Sequence, residues 1–122
     1  MTLWKILGDA GLLEITNGIA AVVEAAHCAG AVCIMAHPGR KDITRYSEAM
    51  LDQLLQEIPL DGLEVYYPLH SQEQTTMYLD YAQKHDLLTS CGSDSHTPNR
   101  APIKYRAEQS RQLLERVGIQ VQ

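Results

Sequence analysis

The chain has 122 residues, 45% of them hydrophobic, and ten Lys plus Arg against fifteen Asp plus Glu give a formal charge of −5. That length supports one small domain with a real core but little surplus, and the acidic balance disfavours a protein that coats nucleic acid through its phosphates. There is no run of 18 apolar residues, no basic segment leading into a long apolar one, and no Cys-x-x-Cys among Cys28, Cys33 and Cys91, so a membrane span, a secretory signal, a disulfide scaffold and a zinc finger are set aside. A cytoplasmic protein with reduced, core-packed cysteines is expected.

Residues 1–16 show no clear period and read as an arm without assignable structure, ahead of an α/β domain over 17–122. Asn17 is the expected N-cap of a first helix whose face is Ile19, Val22, Val23 and Ala26, and Gly30 stops it. The six apolar residues 31–36 then suit a strand buried on both faces, ended by His37-Pro38-Gly39. Leu51, Leu54, Leu55 and Ile58 mark a second helix that Pro59 closes, and Gly62 to Tyr66 reads as a second strand. Ser71 with Gln74 is a capping box opening a third helix to about His85, and Leu87 to Cys91 is a third strand ending in Gly92-Ser-Asp-Ser-His96. Ser110, Leu113, Leu114 and Val117 define a last helix, ended by Gly118. Strands alternating with helices of this length predict parallel βα units, too few to close a barrel alone.

In such folds the chemistry collects where parallel strands end. Those ends carry His37 after the first strand, Glu64 to Tyr67 and His70 at the second, and Asp94 with His96 after the third. Imidazole and carboxylate are ready ligands for a divalent metal, and the i, i+2 spacing of Asp94 and His96 puts both on one side of an extended segment. Six of the ten cations (Arg40, Lys41, Arg45, Arg100, Lys104 and Arg106) lie in the two loops that carry these ligands, with only Asp42 as an acid beside them. That concentration points to an anionic ligand, and Arg forks suit phosphate. An Asx-turn is the bland reading of Asp94, and His70 reads either as the residue before the Ser71 cap or as part of the site. Glu64, a lone acid inside Leu-Glu-Val, leans towards function. His27 and His85 sit near helix C-termini, where the dipole favours them without any site, and the cysteines read as packing.

At Ala36-His37-Pro38-Gly39-Arg40, Gly62-Leu63-Glu64-Val65, His70-Ser71 and Gly92-Ser93-Asp94-Ser95-His96 the sequence resembles the PHP (polymerase and histidinol phosphatase) family. The branch it is most like holds bacterial metal-dependent phosphoesterases, among them 3′,5′-nucleoside bisphosphate phosphatases and an RNA 5′-exonuclease. The resemblance implies the carboxyl-terminal part of a distorted (β/α)7 barrel that binds divalent metal (Mn, Fe or Zn). It makes His37 a metal ligand, Asp94 and His96 the paired ligands of the last barrel strand, Arg40 a candidate phosphate contact and His70 a residue lining the same mouth; Tyr67 receives no role. The family's opening His-x-His strand, its Asp-His pair and its bridging Glu have no counterpart here. The expectation is therefore one weakly held ion or none, poor phosphoester hydrolysis by the chain alone, and a partner that is either the missing amino-terminal half or a second copy. The substrate class implied is a phosphorylated small molecule, a nucleotide or an RNA 5′ end. The alternative from another class is a non-catalytic, self-associating module that keeps the fold; a flavodoxin-like regulator is weaker, since no acidic cluster marks its first strand.

Overall fold

A computed structural model describes residues 18–122 together with Ile6, Asp9 and Ala10. The arm read over 1–16 and the Asn17 cap thus lie outside the described residues, apart from a hydrogen bond from the Ala10 N–H to the Ile6 carbonyl at 3.1 Å. Helix α1 runs Ile19–Cys28 with the extended Gly18 at its N-cap and no side-chain cap. At its far end Gly30, at φ +76°, lets the Ala31 N–H reach the Ala26 carbonyl at 2.9 Å and its own N–H reach His27 at 3.0 Å. This Schellman closure turns the chain back toward the sheet.

Strand β1 is shorter than the apolar run that announces it, only Ile34–Met35. Carboxylates cut it at both ends. The Cys33 N–H donates to Asp61 Oδ2 and the His37 N–H to Glu64 Oε2, each at 2.6 Å, so side chains take the bonds that a longer ladder would use. Its residues are half-buried rather than buried on both faces, because β1 sits at the edge of the sheet and pairs with one neighbour.

The following elements match their sequence signals closely. Helix α2 spans Glu48–Glu57 under a Ser47 cap, strand β2 spans Gly62–Tyr66, and helix α3 spans Gln72–Lys84 with the Ser71–Gln74 capping box formed in both directions. Strand β3 is Leu88–Cys91; a 3-10 turn over Ala107–Ser110 leads into the short helix α4, Arg111–Arg116. The sheet is parallel with order β1-β2-β3.

Period-two alternation decides what β2 offers to each side. Leu63 and Val65 are fully buried and form the core with Leu51 of α2 and Tyr78 and Tyr81 of α3. Glu64 points to the other face and is half-buried, whereas Tyr66, past a break in the alternation, packs against the same core. Between β2 and β3 the register steps from Glu64↔Ser90 to Tyr66↔Cys91, which leaves Val65 unpaired in a bulge beside the strand ends. The cysteines are free, but they are not all core-packed as read: Cys33 and Cys91 are half-buried and Cys28 is exposed. Among the described residues no helix is long and apolar enough to cross a membrane.

Gly62 tests how tightly the strands approach. A Cβ there would collide with the Leu88 carbonyl and come within 2.8 Å of Ile34 Cδ1. Gly62→Ala is expected to lower the unfolding free energy by about 2–3 kcal/mol in urea denaturation, the upper range for overpacking, because backbone cannot yield as a side chain can.

Candidate functional site

The site is built around Glu64. It stands on the central strand, on the face away from the helices, and its carboxylate reaches both neighbours. Oε2 accepts the His37 N–H at the end of β1, and Oε1 fills the space that a side chain on Gly92 would need at the end of β3. One carboxylate therefore sets the separation of all three strand ends. His37 and Asp94 leave their strands in the left-handed region, at φ +33° and +49°. His and Asp tolerate that conformation better than most residues, and its appearance at both presumed ligands marks where the chain is held against its preference.

His70 fixes the loop after His37. Its Nδ1 bonds the Val65 carbonyl at 2.9 Å, and a carbonyl only accepts, so Nδ1 carries the proton. Nε2 is then the acceptor for the Gly39 N–H at 3.1 Å. The carbonyl satisfied is that of the bulged residue. Gln74 Nε2 donates to the Gly39 carbonyl at 3.1 Å, and a Cβ on Gly39 would lie 2.8 Å from that nitrogen and 2.9 Å from the His70 ring. Both ring nitrogens are thus committed to backbone, and burial pushes the imidazole below its ordinary pKa and keeps it neutral. As placed, His70 positions the His37–Arg40 turn, and no nitrogen of its ring is left to ligate a metal or take a proton.

Asp94 is where the remaining groups meet. Oδ2 accepts from the Tyr67 hydroxyl at 3.0 Å and lies 3.5 Å from an Arg40 Nη1, while Arg100 reaches the Asp94 carbonyl at 3.4 Å. Two of the six loop cations thus gather on one residue. Tyr67, which had no assigned role, is buried, with its ring 5.3 Å from that of His37 and 5.0 Å from that of His70. Burial, reinforced by the bond to Asp94, raises its pKa, so the phenol stays a donor. Its sequence signal was its position one residue past β2. Arg40 is also engaged with Asp42 through two bonds, Nε to Oδ1 at 2.7 Å and Nη2 to Oδ2 at 2.9 Å.

The proposed ligands fit a cation in part. His96 Nδ1 donates to the Asp94 carbonyl at 3.0 Å, which leaves Nε2 with the lone pair, the tautomer that a ligating imidazole uses. Its Nδ1 lies 3.4 Å from Asp94 Oδ1. The His96 side chain is 78% exposed, against 19% for Asp94. His37 is joined to this pair through Tyr67 rather than directly, and the ligand atoms of all three do not gather within 4.8 Å of one another. Among the described residues the His/Cys/Asp/Glu set that does so is His27, Cys33 and Asp61, at the other end of the strands.

No protein-family model matches the chain. It is 33% identical over 73 residues to a 3′,5′-nucleoside bisphosphate phosphatase of Chromobacterium violaceum, a match covering 57% of this chain and 25% of that protein. In three dimensions 98% of the chain superimposes, with a TM-score of 0.64 and 27% identity, on 45% of a Bifidobacterium adolescentis protein assigned as a metal-dependent phosphoesterase. The chain thus spans a quarter and somewhat under half of these two lengths. Both similarities support the PHP-family phosphoesterase resemblance of the four motifs, over part of the family's length, and the partial α/β barrel that goes with it.

Two measurements test this framework. Gly92→Ala drives the Glu64 carboxylate from its place, so the His37 amide is expected to lose its bond and exchange with solvent at least about tenfold faster in hydrogen-exchange NMR. The second concerns pH. His70 has a lowered pKa in the fold, so the folded state binds fewer protons than the unfolded chain below about 6.5. Its contribution is complete above that pH and falls as pH drops toward the folded value. Unfolding free energy measured from pH 7.5 to 5 is expected to fall less steeply in His70→Gln than in the parent chain; parallel slopes contradict the clamp.

Proposed function

We propose that residues 17–122 form one partial PHP-like domain, and that the carboxyl ends of its strands are one share of a metal-dependent phosphoesterase centre for phosphorylated nucleotides or RNA 5′ ends. The observation that carries this reading is the gathering on Asp94 of a tyrosine hydroxyl, two arginines and an adjacent imidazole, beside a His37 turn that Glu64 holds in place. The Asp94 carboxylate takes Tyr67 and Arg40 while its carbonyl takes His96 and Arg100, so both polar ends of one residue gather donors at a strand end.

The roles follow from the contacts. Asp94 and His96 would hold a divalent ion of the Mn, Fe or Zn class, with His37 as a third donor across the Tyr67 ring. Such an ion supplies activation of water and neutralisation of the phosphoryl oxygens. Tyr67 orients the Asp94 carboxylate by donating to Oδ2, so that Oδ1 is the oxygen kept for other work. Arg40 and Arg100 bind the phosphate. Arg40 can do so fully only when Asp42 releases its fork, which makes Asp42 a built-in competitor for the substrate's charge. Glu64 and His70 act by placing the His37–Arg40 turn rather than by moving protons.

The 122 residues contain no His-x-His, and two or three donors leave an ion loosely held. We therefore place the remaining ligands on a separate segment or chain. Phosphate release from a 3′,5′-bisphosphonucleotide or a 5′-phosphorylated RNA with manganese is expected near background for this chain alone. It is expected to rise at least ~100-fold when a segment with the His-x-His ligands is supplied, since incomplete ligand shells cost more than the 10- to 100-fold of outer-shell losses. Turnover that survives His37→Ala and Asp94→Ala removes this reading. A stable dimer that no such segment activates favours the self-associating module instead. Asp42→Asn is expected to tighten binding of the bisphosphonucleotide about two- to fivefold in calorimetry, the range of an exposed ion pair, and Arg40→Ala to weaken it.

A further inference from the structure

Asp61 and Cys33 precede the strands whose carboxyl ends carry the site above, so they lie at the opposite end of the sheet. Cys33 stands just before β1, Asp61 just before β2, and His27 in the last turn of α1. The His27 imidazole, the Cys33 sulfur and an Asp61 carboxylate oxygen all come within 4.8 Å of one another. We propose that these three residues form a second metal site, for a thiophilic divalent cation of the zinc class.

The three are held by rigid structure. Asp61 is fixed on both sides, its N–H donating to the Cys33 carbonyl and its carbonyl accepting from the Leu88 N–H, each at 2.9 Å. Its Oδ2 takes the Cys33 N–H at 2.6 Å and His27 Nε2 at 2.7 Å. The Gly30 turn returns the chain from His27 to Cys33 within six residues. The side chains of His27 and Asp61 are 33% and 26% exposed, so an ion can enter and retain a water. A nitrogen, a sulfur and an oxygen donor with one open position is a set that suits zinc and disfavours manganese or magnesium, which prefer oxygen.

Binding has a definite proton balance. The Cys33 thiol gives up its proton to solvent to become the ligating thiolate. In the neutral His27 ring the Nε2 proton, now directed at Asp61, moves to Nδ1, so that Nε2 ligates. Asp61 ligates through Oδ1 while Oδ2 keeps the Cys33 N–H. One proton is released per ion, and a second if the ring begins protonated. The competing account is a polar tie, His27 to Asp61, that only fastens α1 to the sheet. That tie has no use for the sulfur, so Cys33 separates the two.

The test is cobalt(II) titration of the full chain in a Cys28→Ser background, which removes the exposed thiol next to His27. Absorption from thiolate-to-cobalt charge transfer is expected to saturate at a single ion per chain and to be displaced by stoichiometric zinc. It is expected to vanish in Cys33→Ser and in Cys33→Ala, and zinc affinity is expected to fall at least about 100-fold in His27→Gln, with far-ultraviolet circular dichroism unchanged. His37→Ala and Asp94→Asn, at the other end of the strands, leave the band intact. Absence of the band, its persistence in folded Cys33→Ser and Cys33→Ala, or its loss in Asp94→Asn overturns the proposal.

Discussion

The shortest strand is held in place by carboxylates at both of its ends. Two paired residues are too few to fix an edge strand by ladder bonds alone, yet β1 carries the loop that matters most. Asp61 just before β2 takes the Cys33 N–H, and Glu64 within β2 takes the His37 N–H, each at 2.6 Å. A carboxylate bond to an amide is stronger than the neutral bond that it replaces, and it fixes register as well as contact. Everything after Met35 inherits its position from this arrangement: the His37 turn, the Gly39 backbone clamped between His70 and Gln74, and the Arg40 guanidinium within reach of Asp94. The same pair of carboxylates defines two chemically different ends of one sheet, imidazole and carboxylate ringed by arginine at one, imidazole, thiol and carboxylate at the other.

Much of this was legible in the chain, and the exceptions have physical causes. Ser71 and Gln74 announced α3 because a capping box is a local bond pattern that needs no tertiary partner. β2 could be read residue for residue because a bounded apolar run next to Pro59 and Asp61 leaves little choice. The six-residue reading of β1 failed because apolar content marks what can be in a strand, while the length is decided by Asp61 and Glu64, 28 and 27 residues away. Helix α3 closes like α1 and α4, but with Asp86 at φ +54° where they have Gly30 and Gly118, so the usual glycine marker is absent.

The candidate site divides in the same way. His37, Asp94, His96 and Arg40 were singled out because loop histidines, carboxylates and arginines next to strand ends have few structural reasons to be there. Tyr67 and His70 show the limit: an aromatic beside a strand resembles core, and only the fold reveals that one holds the Asp94 carboxylate and the other spends both nitrogens on backbone. His27 and Cys33 were passed over because their ligand geometry depends on Asp61, more than 25 residues further along. The similarity to the two phosphoesterases agrees with the motifs and extends over a quarter of one and 45% of the other.

The central claim is that the carboxyl ends of the strands hold a divalent ion. It is tested most directly by manganese titration of uniformly labelled protein, read as paramagnetic broadening of assigned NMR signals. The account predicts that the resonances of residues 94–96 and His37 broaden first, at substoichiometric manganese, and that Asp94→Asn abolishes the effect while the signals around Asp61 stay sharp. Uniform broadening, or broadening that begins near Asp61 and is unchanged by Asp94→Asn, would contradict it.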